Sequence, residues 1–331
     1  MAFVPQLVLA LLLAGTCLGE PPPRPQASTA TRTVDGITTI YNFGDSLSDT
    51  GNLARQGAAG LLRYTTRLPY GVTIGHATGR CSDGYLMIDF LARDLGLPLL
   101  NPYLDKSTDF THGVNFAVAG ATALNTTALA AKGITVPHTN SSLDVQIGWF
   151  KEFMSSTTNS PREIREKLKK SLVMLGEIGG NDYNYAFLQT WPIDGGYSLD
   201  NVTRMIESVA KAVDLIPDVV KTIVSAAKEL LDMGATRVVI PGNFPLGCVP
   251  SYMSAVNATD PVAYDGRGCL VALNLFARLH NAWLRRAIGE LRRPGVMAAR
   301  AAVPPWPRVP ASDQFHHRRM HVRRLICLDL S

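Results

Sequence analysis

The sequence predicts an α/β layered fold built on a parallel sheet. β-Branched and aromatic runs such as Ile37–Phe43 alternate with long helical patterns. The first run ends abruptly at Gly44-Asp45-Ser46, and a later one leads into Gly179-Gly180-Asn181, so glycine turns mark the strand ends. The 331 residues are 46% hydrophobic and 18% charged, enough to bury a large core. This composition excludes a mainly disordered chain, a collagen-like repeat and a small disulfide-stapled module.

The chain opens with Met1 to Gln6, the apolar run Leu7–Ala14, and the small residues Cys17 and Gly19 two apart. This pattern predicts a cleaved secretory leader over residues 1–19, in a run too short to span a bilayer. The plainer alternative is a buried N-terminal helix. The proline-rich stretch from Pro21 to Pro25 makes residues 20–36 an extended linker. Sequons at Asn125, Asn140, Asn201 and Asn257 fit a secreted, extracellular or cell-wall glycoprotein. With Cys17 removed, Cys81, Cys248, Cys269 and Cys327 allow three pairings. Cys248 and Cys269 bracket a turn-rich loop, so the expected disulfide joins them. Cys81 is then unpaired and Cys327 irrelevant to the fold.

Ile37–Phe43 reads as a buried strand. Gly84–Leu95 has helical spacing, with Leu86, Phe90, Leu91 and Leu95 on one side and Gly96 and Pro98 as stops. Gly113–Ala119 reads as a strand turning at Gly120. Leu143–Met154 and Pro161–Lys170 read as helices, and Ser171–Gly176 as a strand followed by a loop over Gly179–Asp182. Val202–Met233 is the longest helical pattern, which Pro217 is expected to kink or split. Thr236–Pro241 is the next strand and Asp265–Leu291 the last helix. There is no internal repeat, and no second apolar stretch reaches membrane length.

The net charge is +5, but residues 292–331 hold eight Arg, no Lys and two acids. The rest of the chain is near neutral, which gives no argument for a nucleic-acid partner.

Open α/β sheets bind ligands beyond the carboxyl ends of their strands. Ser46 sits at such an end, on a turn opened by Gly44, and reads either as a nucleophile or as a helix N-cap. It is not a G-x-S-x-G elbow, because Ser48 stands where glycine would be. Gly120 is a turn glycine or an unobstructed backbone donor to an oxyanion. Asn181 either braces its own loop or supplies a side-chain donor. Asp49-Thr50-Gly51 matches the core of an aspartic-protease motif, but that chemistry needs two such carboxylates and the chain has one.

In order, Gly44-Asp-Ser-Leu47 with Ser48-Asp-Thr-Gly-Asn52, Gly113-Val-Asn-Phe-Ala-Val-Ala-Gly-Ala-Thr-Ala-Leu124, and Ile178-Gly-Gly-Asn-Asp182 resemble the first three blocks of the GDSL esterase/lipases, within the SGNH hydrolases. The secreted plant branch is most similar. Thr78-Gly-Arg80, Ser82-Asp-Gly84 and Asn243-Phe-Pro-Leu-Gly-Cys-Val-Pro250 extend the match, as do Cys269–Asn274 and Leu279-His-Asn281. The resemblance implies a flavodoxin-like three-layer α/β/α fold with a central parallel sheet. It also implies a serine ester hydrolase in which Ser46 is the nucleophile. Ser46 and Gly120 lend backbone N–H groups, and Asn181 a side-chain N–H, to the oxyanion. No metal or organic cofactor is implied, and the partner is a small-molecule or polymer ester. Stable membrane insertion is not expected; oligomeric state is not readable.

The family's fourth block, Asp-x-x-His near the C-terminus, supplies the general base and the acid that orients it. Asp313-Gln-Phe-His316 fits the form but lacks the preceding Trp and the following Pro-Thr or Leu-Thr-Glu. His76, His112, His138 and His280 do not replace it, and His316, His317 and His321 lack partners for a metal. Residues 37–291 therefore read as an SGNH hydrolase domain, incomplete at its C-terminal end. Residues 292–331 read as a divergent, poorly ordered basic tail that does not form the closing strand and helix. The alternative function is a catalytically impaired or truncated member that at most binds an ester or glycan.

Overall fold

The computed structural model describes residues 34–58, 60–188, 199–256, 261–292 and 327–329. In chain order its elements are β1 (Thr39–Phe43), α1 (Asn52–Gln56), α2 (Met87–Asp94), β2 (Gly113–Asn115), α3 (Thr126–Ala131), α4 (Leu143–Thr157) and α5 (Pro161–Lys169). There follow β3 (Ser171–Leu175), α6 (Gly180–Leu188), α7 (Leu199–Asp232), β4 (Arg237–Val239), α8 (Pro250–Val256), α9 (Val271–Leu291) and β5 (Cys327–Asp329). Short 3₁₀ turns lie between some of them.

The strands are ordered β2-β1-β3-β4-β5. The first four are parallel, with Phe43 opposite Leu175 across β1 and β3 and Ile40 opposite Gly113 across β1 and β2. The chain runs outward from β1 to β2, then returns to lay β3 on β1's other side. That reversal is the switch point beside which such sheets bind ligands.

Every residue of β1 and β3 is buried, as befits a parallel sheet covered on both faces. Side chains alternate between the faces. Tyr41, Phe43, Val173 and Leu175 pack with Phe150 and Phe153 of α4, Val219 and Ile223 of α7, and Phe276 of α9. Ile40, Leu172, Met174 and Val239 pack on the other face with Ile88 and Leu91 of α2. The result is the expected three-layer α/β/α arrangement.

Four local expectations need correction. The segment read as a loop over Gly179–Asp182 is the start of α6. Helix α9 begins at Val271 rather than Asp265, because the Asp265 carboxylate bonds the Arg267 and Cys269 N–H groups and holds a turn there. Helix α7 is not split at Pro217. Pro217 is exposed, and so is Val213, whose carbonyl loses its helical donor, so water can serve it. Finally, β5 pairs antiparallel with β4 where the Arg- and His-rich tail was expected to form no strand, and Cys327, expected to be irrelevant to the fold, stands in it opposite Val239.

Cys248 and Cys269 form a disulfide, and Cys81 is a free thiol, both as expected. The bond ties the turn before α8 to the turn before α9. Residues 1–19, and 20–33 of the linker, lie outside the described residues, as does all of 293–331 except β5.

Candidate active site

Three loops leave the carboxyl ends of β1, β2 and β3 and meet above the switch point. The first is held from behind by Gln146 of α4. Its Oε1 accepts the Gly44 N–H and its Nε2 donates to the Gly44 carbonyl, both at 2.9 Å. Only glycine suits this position: φ is +146°, and a Cβ would meet Ser48 Oγ at 2.6 Å. Asp45 N–H then bonds the Glu177 carbonyl at 2.9 Å, stitching the first loop to the third. Ser46 follows on a tight turn, half-buried. It caps no helix, since α1 begins at Asn52 with Gly51 as its N-cap.

The second loop reaches Gly120, where φ is +85° and a Cβ would stand 2.7 Å from His138 Cβ. Its neighbours are all engaged: Val118 N–H bonds Gly44 O, Ala119 N–H bonds Asp49 Oδ2, and Ala121 N–H bonds Val118 O. Among the described residues, neither the Ser46 nor the Gly120 N–H has an acceptor. Unbonded main-chain donors at a strand end are uncommon and suit an anionic ligand.

Asn181 opens α6 from the third loop and is buried. Its Nδ2 donates to the Ala121 carbonyl at 2.9 Å and faces Asp45 Oδ2 at 3.5 Å. It thus bridges to the residues beside Gly120 and Ser46, rather than merely bracing its own loop. Tyr185, four residues on, donates to the Gly120 carbonyl at 2.9 Å.

Other motif residues are scaffolding. Asp49 Oδ1 accepts from Gly51 and Asn52 N–H and Oδ2 from Leu53 and Ala119 N–H, so both oxygens are committed. That excludes it as an exposed protease carboxylate. Asn52 Nδ2 donates to the Asn115 and Ala117 carbonyls; Asn115 Nδ2 donates to the Ser48 carbonyl. Asp182 accepts from Ala123 and Leu124 N–H at 2.8 and 2.9 Å, fixing the far end of the Gly120 loop.

Burial pushes the Asp45 carboxyl up to about 8, and nearby Glu177, Asp182 and Asp49 add to the effect. Burial likewise raises Asp182 to about 7 against its two backbone bonds. At neutral pH the floor beneath Ser46 therefore carries less negative charge than its four acids suggest. His138 is held below its ordinary range by burial, and its Nδ1 has no partner. His280 is pushed down to about 4 by burial and bonds the Tyr183 hydroxyl at 2.7 Å. Among the described residues no group of His, Cys, Asp and Glu is arranged to hold a metal ion.

A family model for GDSL-like lipase/acylhydrolase matches residues 40–315. The chain belongs to the GDSL lipase/acylhydrolase family. This GDSL chain is 40% identical over 294 residues to acetylajmalan esterase 1 of Rauvolfia serpentina, an alignment covering 88% of this chain and 69% of that protein. It is 42% identical over 253 residues to another acetylajmalan esterase of the same plant, covering 76% and 61%. A GDSL esterase/lipase of Arabidopsis thaliana is 40% identical over 286 residues, covering 86% and 68%. The chain thus spans 61% to 69% of the length of these relatives.

Within this GDSL chain, Ser46, Gly120 and Asn181 come to one rim of the sheet. Asp313 and His316 lie outside the described residues. Among the described residues, no histidine is hydrogen-bonded to Ser46. The sequence reading missed Gln146, Asn184 and Tyr185. Gln146 had left a signal: it is a polar residue at the core spacing set by Leu143, Ile147 and Phe150. No helix among the described residues is long and apolar enough to cross a membrane.

Proposed function

We propose that this GDSL family member is a secreted serine ester hydrolase. Ser46 Oγ attacks the ester carbonyl. The Ser46 and Gly120 N–H groups stabilise the oxyanion that forms, joined by the Asn181 N–H that turns to it from Asp45 while the other stays on the Ala121 carbonyl. The observation carrying this reading is the pair of main-chain N–H groups without acceptors on one rim, with the Asn181 amide bonded beside both. The attack needs a base to take the Oγ proton; Asp313-Gln-Phe-His316 has the form of the family's base block without its flanking residues, and the family match ends at residue 315. Two of the relatives are named for an acetyl ester, so an acetyl ester is the first substrate class to test.

The test is hydrolysis of p-nitrophenyl acetate by the secreted chain beside its Ser46→Ala variant. Whatever rate the wild type shows above background is expected to vanish in Ser46→Ala. An unchanged rate removes Ser46 from the chemistry. Amino-terminal sequencing that begins at Glu20 checks the leader.

A second reading is an impaired member, since Asp313-Gln-Phe-His316 lacks the Trp and the Pro-Thr or Leu-Thr-Glu that flank the family's block. General-base help contributes about 10² to 10⁴-fold. Without it, the oxyanion donors remain and turnover is slow.

A further inference from the structure

The Asn181 carboxamide is the last link of a chain of side chains that starts on α8. The Tyr252 hydroxyl donates to Asn184 Oδ1. Asn184 Nδ2 donates to Asn181 Oδ1 at 3.0 Å. Asn181 Nδ2 then donates to the Ala121 carbonyl at 2.9 Å and faces the Asp45 carboxylate at 3.5 Å.

Each link has a direction. A carboxamide presents an acceptor at one end and two donors at the other, in nearly the same shape. Turned over, Asn181 would set its oxygen against the Ala121 carbonyl and towards the site, where it would repel an oxyanion. The Ala121 carbonyl opposes this at one end of the carboxamide, and Asn184 opposes it at the other while its own NH₂ points at Asn181. It points there because the Tyr252 hydroxyl occupies its oxygen. Burial holds the Tyr252 hydroxyl well above its ordinary pKa, so it stays a donor. Asn181 and Asn184 are three apart on α6 and share a face. Tyr252 is one turn beyond Val249, whose carbonyl its N–H bonds at 3.0 Å, next to the disulfide at Cys248.

We propose that Asn184 and Tyr252 are positioning residues that fix which end of the Asn181 carboxamide faces the candidate oxyanion site. The catalytic consequence rests on the reading of Asn181 as an oxyanion donor; the orientation does not.

Two measurements on the full chain separate these. In the first, asparagine is labelled with ¹⁵N, and the Asn181 side-chain NH₂ pair is assigned by its loss in Asn181→Ala. Asn184→Asp keeps the shape and the acceptor for Tyr252 but cannot donate to Asn181. Both Asn184→Asp and Tyr252→Phe are expected to displace the Asn181 pair, the first by more. If neither moves it, the proposal is overturned whatever the activity.

In the second, the rate at which excess fluorophosphonate modifies Ser46 is followed by intact mass, which needs no turnover. Asn184→Asp is expected to slow the reaction by about 10- to 100-fold at saturation, with the half-saturating concentration unchanged. In an Asn181→Ala background the same substitution is expected to add nothing. An equal loss in both backgrounds means that Asn184 acts elsewhere and overturns the proposal. If Asn181→Ala itself reacts at the wild-type rate, the oxyanion reading falls, and the displaced or undisplaced NH₂ pair still decides the orientation.

Discussion

Gln146 pairs with the Gly44 peptide much as one strand pairs with another: it accepts from the N–H and donates to the carbonyl, each at 2.9 Å. Both groups are buried at the end of β1, and the carbonyl also accepts from the Val118 N–H at 3.1 Å. The side chain of α4 takes over from the sheet and sets the height at which Ser46 emerges.

Replacing Gln146 with Leu should therefore destabilise the fold by about 1–3 kcal/mol, since the buried Gly44 N–H loses its side-chain acceptor while the carbonyl keeps the Val118 N–H. A urea midpoint shift of that size is expected, together with slower fluorophosphonate labelling of Ser46. A shift under about 0.5 kcal/mol, the size usual at uncommitted surface sites, would mean that the pair carries no weight.

Gly120→Ala should be destabilising at a position where alanine is ordinarily harmless. The residue holds φ at +85°, and the added Cβ would sit 2.7 Å from His138 Cβ and 3.1 Å from Tyr185 Oη. Strain of about 1–3 kcal/mol follows. Adding His138→Gly, which removes that Cβ, should return part of it by relieving the contact. If the double variant is no more stable than expected from the two single changes, His138 is not the obstacle.

Asp45 gives a pH dependence with a definite sign. Burial first, and then Glu177, Asp182 and Asp49, raise its carboxyl from 3.8 to about 8. Between those values the folded protein keeps a proton that the unfolded chain has released. Stability contributed by this group is therefore whole below about pH 4 and falls as pH rises towards about 8, by up to about 1.4 kcal/mol per pH unit. Asp182, raised to about 7, acts in the same direction. Urea midpoints at pH 5 and pH 7.5 should fall more for the wild type than for Asp45→Asn. Parallel profiles would show that Asp45 titrates normally.

The disulfide closes a loop between residues 21 apart in sequence. Its removal in the Cys248→Ser, Cys269→Ser double variant should cost about 3 kcal/mol through the unfolded chain's entropy. Non-reducing peptide maps should find Cys81 modified by alkylating agent only after unfolding. Burial holds its thiol at about 12, so little thiolate exists in the folded protein.

Esterase turnover of the chain from residue 20 to 331 is expected to be weak. Ser46 without a positioned imidazole is a neutral alcohol, and the loss is about 10² to 10⁴-fold or more. Ordinary turnover of p-nitrophenyl acetate that disappears in His316→Ala would reverse this and make Asp313 and His316 the rest of the triad.

Most of the layer architecture could be read along the chain, because its signals are local. A five-residue strand of β-branched and aromatic character such as Thr39–Phe43, or a helix face repeating every three or four residues as in α7, shows its burial in its own pattern. The three motif blocks named Ser46, Gly120 and Asn181 as candidates in the same way, and the turn-rich loop named Cys248 and Cys269. What could not be read depends on groups far apart in sequence. Gln146 lies 102 residues from Gly44, and Asn181 lies 60 from Ala121 and 136 from Asp45. Tyr252 lies 68 from Asn184. A hydrogen bond has a direction and a length that only folding sets, and a residue's type does not disclose which buried peptide it will serve. The pattern around Asp49 allowed a catalytic carboxylate; three backbone N–H groups of its own turn and that of Ala119, 70 residues away, made it a strut. Hydrophobic periodicity is written in the chain, whereas polar pairing across the interior is decided when the sheet brings its loop ends together.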